Sequence, residues 1–251
     1  MNGWEALAVV AAGAGAGGIN AIVGSGSLIT FPTLLAVGYP SVTANVANTV
    51  GLVPGSLAAT FGFRRELAGQ RGRARRLATG SASGALVGAA LLLTLPSSVF
   101  DAVVPVLVIG AALLMAAQPW LSRRVLQRRH PDARDVGVLP VVLTFLAGIY
   151  GGYFGAAQGI ILLTILSVLV PDDLRRSNAM KNLLAGIVNA VAALFFIVFA
   201  DVAWAAVALI GVGSIVGGTL GAHVGRRIDP RLLRALVVVL GLAVGITLLL
   251  T

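Results

Sequence analysis

From Ala6 to Phe63 the chain carries no charged residue, a run of 58 positions. At about 20 residues per bilayer crossing this is too long for two spans and fits three segments. Residues 4–23 form the first, which Gly13, Gly15, Gly17 and Gly18 are expected to break. Residues 25–37 form a short second segment, and Gly38-Tyr39-Pro40 turns the chain into a third at 41–63. An Arg-rich stretch follows, with Arg64, Arg65, Arg71, Arg73, Arg75 and Arg76. Two further helices are predicted near 77–95 and 99–118, joined by Pro96-Ser97-Ser98, and a second basic stretch carries Arg123, Arg124, Arg128, Arg129 and Arg134.

The second half repeats this order. Residues 136–157 are apolar and interrupted by Gly148, Gly151, Gly152 and Gly155; 158–170 is another short segment; Pro171-Asp172-Asp173 is a turn. A long helix at 174–200 and two more near 203–222 and 232–250 complete the pattern. An offset of 134 residues overlays the halves without a gap, placing Gly17-Gly18 on Gly151-Gly152, Thr30 on Thr164, Asn48 on Asn182 and Phe61 on Phe195. Nine of the 47 positions in 17–63 are identical, against roughly five by chance in so apolar a chain, so the shared order of elements carries more weight than identity.

Composition narrows the class. Hydrophobic residues make up 58 % of the 251, charged residues 11 %, and the mean hydropathy is +0.97. A water-soluble domain would lack the polar residues to cover its surface, and the continuous apolar runs do not alternate as barrel strands do. The chain reads as an all-α polytopic membrane protein: an inverted repeat of about five helical elements each, with one broken or short helix pair per repeat. The predicted organisation is a first transmembrane repeat at 1–118, a basic cytoplasmic linker at 119–135 and a second repeat at 136–251. There is no cysteine, which excludes disulfides and thiol catalysis.

The net charge of +9 comes from 17 arginines, one lysine and nine acids. The arginines fall between apolar spans, which suits lipid headgroups rather than nucleic acid. Basic loops stay cytoplasmic, so 64–76, 119–135, 225–234, Arg175 and Arg176 are expected inside, and the links at 96–98 and 200–203 and both termini outside. The first half then starts outside and the second inside. Inverted repeats with paired broken helices point to a secondary transporter with a site near the midplane.

The chemistry available there is limited. Around Gly24, Ser25, Gly26 and Ser27 the glycine density favours unwound backbone, and Ser25 or Ser27 can cap the short helix that follows. A helix start at membrane depth offers N–H groups and partial positive charge to an anion. The second-half counterpart contains Gln158 and Gly159, with amide donors from Gln158. The following helices bear Asn45, Asn48, Thr49 and Ser56 in one half and Asn178, Lys181, Asn182 and Asn189 in the other. Such a stripe must face protein or water, and interhelical hydrogen bonding explains it as readily as ligand binding. Lys181, the single lysine, either snorkels to the headgroups near Arg175 and Arg176 or draws in an anion. No metal-ligand cluster, Walker A pattern or Ser/His/Asp set is evident, so enzymatic activity and cofactors are not expected.

The stretch from Gly17 to Gly38, a Gly/Ser-rich break followed by an apolar run with Phe31-Pro32 and a closing glycine, resembles the signature of the sulfite exporter TauE/SafE family of membrane transporters. A degenerate echo lies at Gly151 to Pro171, and the similarity spans essentially the whole chain. The resemblance implies a multispanning carrier of a small sulfur-containing or organic anion, such as sulfite, thiosulfate or a sulfonate, in a bacterial-type plasma membrane. An anion channel on the same scaffold and a non-transporting membrane subunit are the alternatives. The expected partners are the anion, membrane lipid and a second copy of the chain in a homodimer, with no nucleic acid. The expected site comprises Gly24, Ser25, Gly26, Ser27, Asn48, Gln158, Gly159, Lys181 and Asn182.

Overall fold

The computed structural model describes residues 1–127, 137–170, 172–224 and 230–250. Of the positions singled out above, Arg128, Arg129, Arg134, Pro171, the segment 225–229 and the side chains of Arg123 and Arg124 lie outside the described residues. Those described form ten helices: α1 (Gly3–Ile22), α2 (Ser27–Ala36), α3 (Ser41–Gly62), α4 (Arg71–Thr94), α5 (Ser97–Gln127), α6 (Val138–Tyr153), α7 (Gln158–Leu169), α8 (Leu174–Phe199), α9 (Trp204–Val224) and α10 (Pro230–Leu250). Five helices are long and apolar enough to cross a membrane. Large apolar side chains such as Leu57, Phe61, Leu194 and Phe199 are exposed, while Asn45, Asn48, Gln158 and Lys181 are buried, the arrangement of a protein solvated by lipid.

The helix bounds follow the apolar runs, with three differences. α4 begins at Arg71, so Arg71, Arg73, Arg75 and Arg76 occupy its opening turns rather than a loop. Arginine is a good helix former, and Arg71, Arg75 and Arg76 remain exposed there. α5 continues through Pro119 to Gln127, into the segment expected to be linker. Finally, Gly13, Gly15, Gly17 and Gly18, like Gly148, Gly151 and Gly152, lie inside unbroken helices. Several of them give close packing instead. A Cβ at Gly13 would sit 2.8 Å from the Ile210 carbonyl oxygen, and one at Gly17 would strike that of Ser214. A Cβ at Gly152 would strike the carbonyl of Ala85. Membrane helices use small residues in this way to bring backbones together.

These contacts also fix helix directions. Along α1 and α9, Gly13 meets Ile210 and Gly17 meets Ser214; along α3 and α9, Gly51 meets Ile210, Gly55 meets Ser214 and Gly62 meets Ala222. The three helices therefore run parallel and begin at one end of the bundle, where the Ser41 hydroxyl also donates to Asp101 at the start of α5. α3 has 22 residues. Its length, about 33 Å, carries the chain to the opposite end, where α4 begins. Gly80, Gly84 and Gly88 of α4 meet Val141, Phe145 and Ile149 in turn, so α6 runs parallel to α4 and begins with it.

Helices α2 and α7 are too short to cross, with 10 and 12 residues. α2 leads back to the start of α3. α7 leads back to Asp172, whose carboxylate takes Arg73 at the start of α4 (2.8 Å) and Arg176 (2.7 Å). Each pair, α1–α2 and α6–α7, is thus a hairpin that returns to the end it entered from, and the two enter from opposite ends. The packing is exchanged between the halves: α9 lies on α1 and α3, whereas α4 lies on α6 and α8. The fourth helix of each half therefore supports the hairpin of the other.

Candidate anion site at the hairpin tips

Both tips depend on backbone that ordinary residues avoid. Gly24 has φ +89° and Gly155 has φ +77°. Ala157 also adopts a left-handed conformation, φ 59°, at a cost on the order of 1 kcal/mol. The tips touch. The Gly159 N–H donates to the Gly24 carbonyl at 3.1 Å, and a Cβ on Gly24 would lie 2.5 Å from the Gly159 Cα.

Neither Ser25 nor Ser27 caps α2. Its N-cap is Gly26, which has no side chain to cap with. The Gly26 N–H is taken instead by Asn20 Oδ1 at 2.6 Å, from the last turn of α1. Ser25 turns away and donates to Met115 Sδ on α5 at 2.9 Å. Ser27 accepts from Asn48 Nδ2 at 3.2 Å, and Asn48 Oδ1 accepts from the Thr30 hydroxyl. At the other tip, Gln158 Nε2 donates back to the Ala147 carbonyl at 3.2 Å.

The polar stripe of α8 meets the end of α1, whose last carbonyls have no helical partner. Asn182 and Asn178 both donate to the Ala21 carbonyl, at 3.2 and 3.4 Å. Lys181 Nζ donates to the Asn20 carbonyl at 3.0 Å. Asn45 of α3 performs the same service for α6, donating to the Tyr153 carbonyl at 2.8 Å. Each hairpin is thus capped by a long helix of the opposite half, and interhelical bonding accounts for much of the stripe. It does not account for Lys181. That side chain is 0 % exposed, so it does not snorkel, and no carboxylate pairs with it among the described residues. The negative end of the α1 dipole offsets only part of a full charge.

Lys181 borders a cavity of about 20 Å³ between the tips, room for about one water. Gly24, Ser27, Gln158, Gly159, Lys181 and Asn182 line it, joined by Asn20, Ser56 and Asn189. Ser25, Gly26 and Asn48 do not, although Asn48 reaches it through Ser27. Sequence reasoning passed over Asn20, whose signal was an amide four residues before the tip glycine at the end of an apolar helix.

The two sides of this cavity differ. Phe154 meets Phe31 edge-on at 5.3 Å and Phe100 at 6.2 Å, a buried cluster joining both hairpins to the first turn of α5. Toward the end where α4 and α8 begin, a vestibule of about 470 Å³ opens, bordered by Ile22, Phe63, Glu66, Arg175, Asn178 and Arg234. The end of α1 borders both: Ala21 to Val23 line the vestibule, and Asn20 and Gly24 the cavity.

The family model described as sulfite exporter TauE/SafE matches residues 9–248. Probable membrane transporter protein YfcA of Escherichia coli is 30 % identical over 240 residues, 93 % of this chain and 86 % of that protein. Probable membrane transporter protein ORF9 of a Sinorhizobium species is 28 % identical over 234 residues, covering 93 % and 88 %. A probable membrane transporter protein of Haemophilus influenzae is 25 % identical over 222 residues, covering 88 % and 86 %. No solved structure matches. With its hairpins, buried polar stripe and lipid-facing exterior, the chain belongs to the sulfite exporter TauE/SafE family of multi-pass membrane transporters.

Proposed function

We propose that this protein is a secondary transporter that carries a small anion, sulfur-containing or organic, such as sulfite, thiosulfate or a sulfonate, across the plasma membrane. The observation that carries the reading is Lys181: a fully buried ammonium, without a carboxylate among the described residues, beside a polar cavity where two re-entrant hairpins meet. An uncompensated charge at that depth costs about 2.5–3.5 kcal/mol on insertion scales, and an anion supplies the missing countercharge. The cavity is too small for such an anion as it stands. Binding must part the tips, and the Gly159–Gly24 hydrogen bond is what must lengthen. Closure at the phenylalanine cluster with an open vestibule opposite supports a carrier caught open toward one side, in preference to a channel.

In this reading the two halves, 1–118 and 136–251, are inverted repeats interlocked through the exchanged helices α4 and α9. The vestibule faces the cytoplasm, since it opens at the arginine-rich end. The exposed Trp4 and Trp204 where α1 and α9 begin, and Trp120 near the far end of α5, suit the two membrane interfaces of this arrangement. The chain has no cysteine, so single cysteines report sides directly. Cysteines at Ser97 and Asp201 should label from outside in intact cells and one at Arg73 should not; labelling of Ser97 and Arg73 from the same side would refute the inverted arrangement.

The site itself is tested by ligand-induced stabilisation of the purified protein, since binding to the folded state alone raises the melting temperature. Sulfite, thiosulfate, sulfoacetate and formate are titrated against wild type and Lys181→Met, which keeps the stem and removes the charge. At least one anion should stabilise the wild type, and Lys181→Met should weaken its binding by about 1.5–3 kcal/mol. Equal binding by a folded Lys181→Met would move the site elsewhere.

A further inference from the structure

The amides expected to donate to the anion, and Asn189 beside them, each already spend one N–H on a protein acceptor. Asn182 Nδ2 is on the Ala21 carbonyl, Asn48 Nδ2 on Ser27 Oγ, Gln158 Nε2 on the Ala147 carbonyl and Asn189 Nδ2 on Ser56 Oγ. Among the described residues, Asn20 is the cavity-lining amide whose donor end has no partner. Its orientation follows from chemistry. The Gly26 N–H can only donate, so the atom facing it at 2.6 Å must be the amide oxygen, which leaves the NH2 on the other branch of the amide. The main-chain carbonyl of the same residue holds Lys181 Nζ at 3.0 Å. A free amide donor and a buried ammonium are therefore anchored on one residue, at the border of one cavity.

The geometry points to Asn20 as an anion-binding residue. It donates through Nδ2 to the same oxyanion that Lys181 neutralises, while its Oδ1 keeps α2 capped. The assignment rests on the reading of the Lys181 cavity as the anion site and adds to it the neutral donor. An oxyanion presents several acceptor oxygens, and one ammonium, already spending a hydrogen on the Asn20 carbonyl, cannot satisfy them alone. The chain supplies this pair once. An offset of 134 residues carries Asn20 to Phe154 and relates Lys181 to Ala47, so the equivalent positions of the opposite half hold neither this amide nor the cation.

The test is Asn20→Asp, compared with wild type and Lys181→Met in the same titrations with sulfite, thiosulfate, sulfoacetate and formate. Aspartate keeps an acceptor for the Gly26 N–H and replaces the NH2 with a carboxylate oxygen. The apo melting temperature should hold or rise, because the carboxylate lies near Lys181, and affinity for the anion that stabilises wild type should fall at least tenfold. Because the new carboxylate also neutralises Lys181, the uncharged Asn20→Ala is titrated beside it, and a merely capping role would leave the affinity of Asn20→Ala unchanged. Asn20→Ala should lose about five- to tenfold, and it carries the test alone if Asn20→Asp does not fold. Binding within twofold of wild type by either folded variant, while Lys181→Met has lost it, overturns the Asn20 assignment and leaves the Lys181 site standing. Equal binding by wild type and Lys181→Met, or no stabilisation of wild type by any of the four anions, overturns both.

Discussion

The two hairpin tips share a backbone plan and differ in chemistry. Each follows a helix that ends in a left-handed glycine, Gly24 or Gly155, and each is capped by asparagine from the opposite half, through Asn178 and Asn182 or through Asn45. Around the first tip the residues are Asn20, Ser27 and the incoming Lys181. At the second, Phe154 takes the place equivalent to Asn20 and packs against Phe31 and Phe100. If the proposed site is right, hairpin geometry and binding chemistry are separable. In the proposed reading both hairpins border the cavity, but the first contributes Asn20 and Ser27 beside Lys181 whereas the second, besides Gln158, places Phe154 in the apolar cluster. A site of this kind has one charge to compensate rather than two, which limits the desolvation cost inside the membrane.

The comparison is broken most severely at the point where the tips meet. Gly24→Ala forces a Cβ into left-handed backbone and to 2.5 Å from the Gly159 Cα, so it should cost about 2–4 kcal/mol of stability. The 134-residue offset places Gln158 opposite Gly24, and there the change should be mild. Gln158→Ala gives up one hydrogen bond, to Ala147, worth about 1 kcal/mol. Unfolding of both variants in detergent measures the difference. Equal losses would mean that the tips do not bear on each other as the backbone contact indicates.

Much of this fold is legible in the sequence because lipid allows few alternatives. Apolar runs bounded by Arg, Pro and Gly mark ten helices, and the segments at 25–37 and 158–170 stand out as short, although the sequence left open whether they cross fully or turn back. The positions of the tips follow from local Gly density. What the run of glycines could not reveal is which of them unwind and which pack, since Gly13 and Gly24 look alike until Ile210 and Gly159 are placed beside them. The exchange of α4 and α9 between halves is likewise tertiary, and no local pattern encodes it. Six of the residues singled out in the sequence, Gly24, Ser27, Gln158, Gly159, Lys181 and Asn182, border one cavity. Hydrogen-bond partners were not legible: Ser25 belongs to Met115, and the cap of α2 comes from Asn20 six residues upstream.

The smallest expected effect separates two residues that the sequence repeat treats as equivalents. Asn48 and Asn182 occupy matching positions on α3 and α8, yet their bonds run to different places. Asn48 stays within its own half, accepting from Thr30 and donating to Ser27, and does not border the cavity. Its removal leaves the buried Thr30 hydroxyl only the Gly26 carbonyl at 3.4 Å, so Asn48→Ala should lower apo stability by about 1 kcal/mol while leaving anion affinity near wild type. Asn182 crosses to the Ala21 carbonyl, which Asn178 also serves, and it lines the cavity. With that second donor in place, Asn182→Ala should cost only about 0.6 kcal/mol of apo stability, the typical value of a polar contact between membrane helices. Its anion affinity should fall several-fold, because the cavity loses a polar wall next to Lys181. Melting curves with and without the stabilising anion give both quantities from one preparation. If the two variants lose stability and affinity in the same proportion, the halves are functionally symmetric after all, and the division between a polar tip and an aromatic one carries no weight in binding.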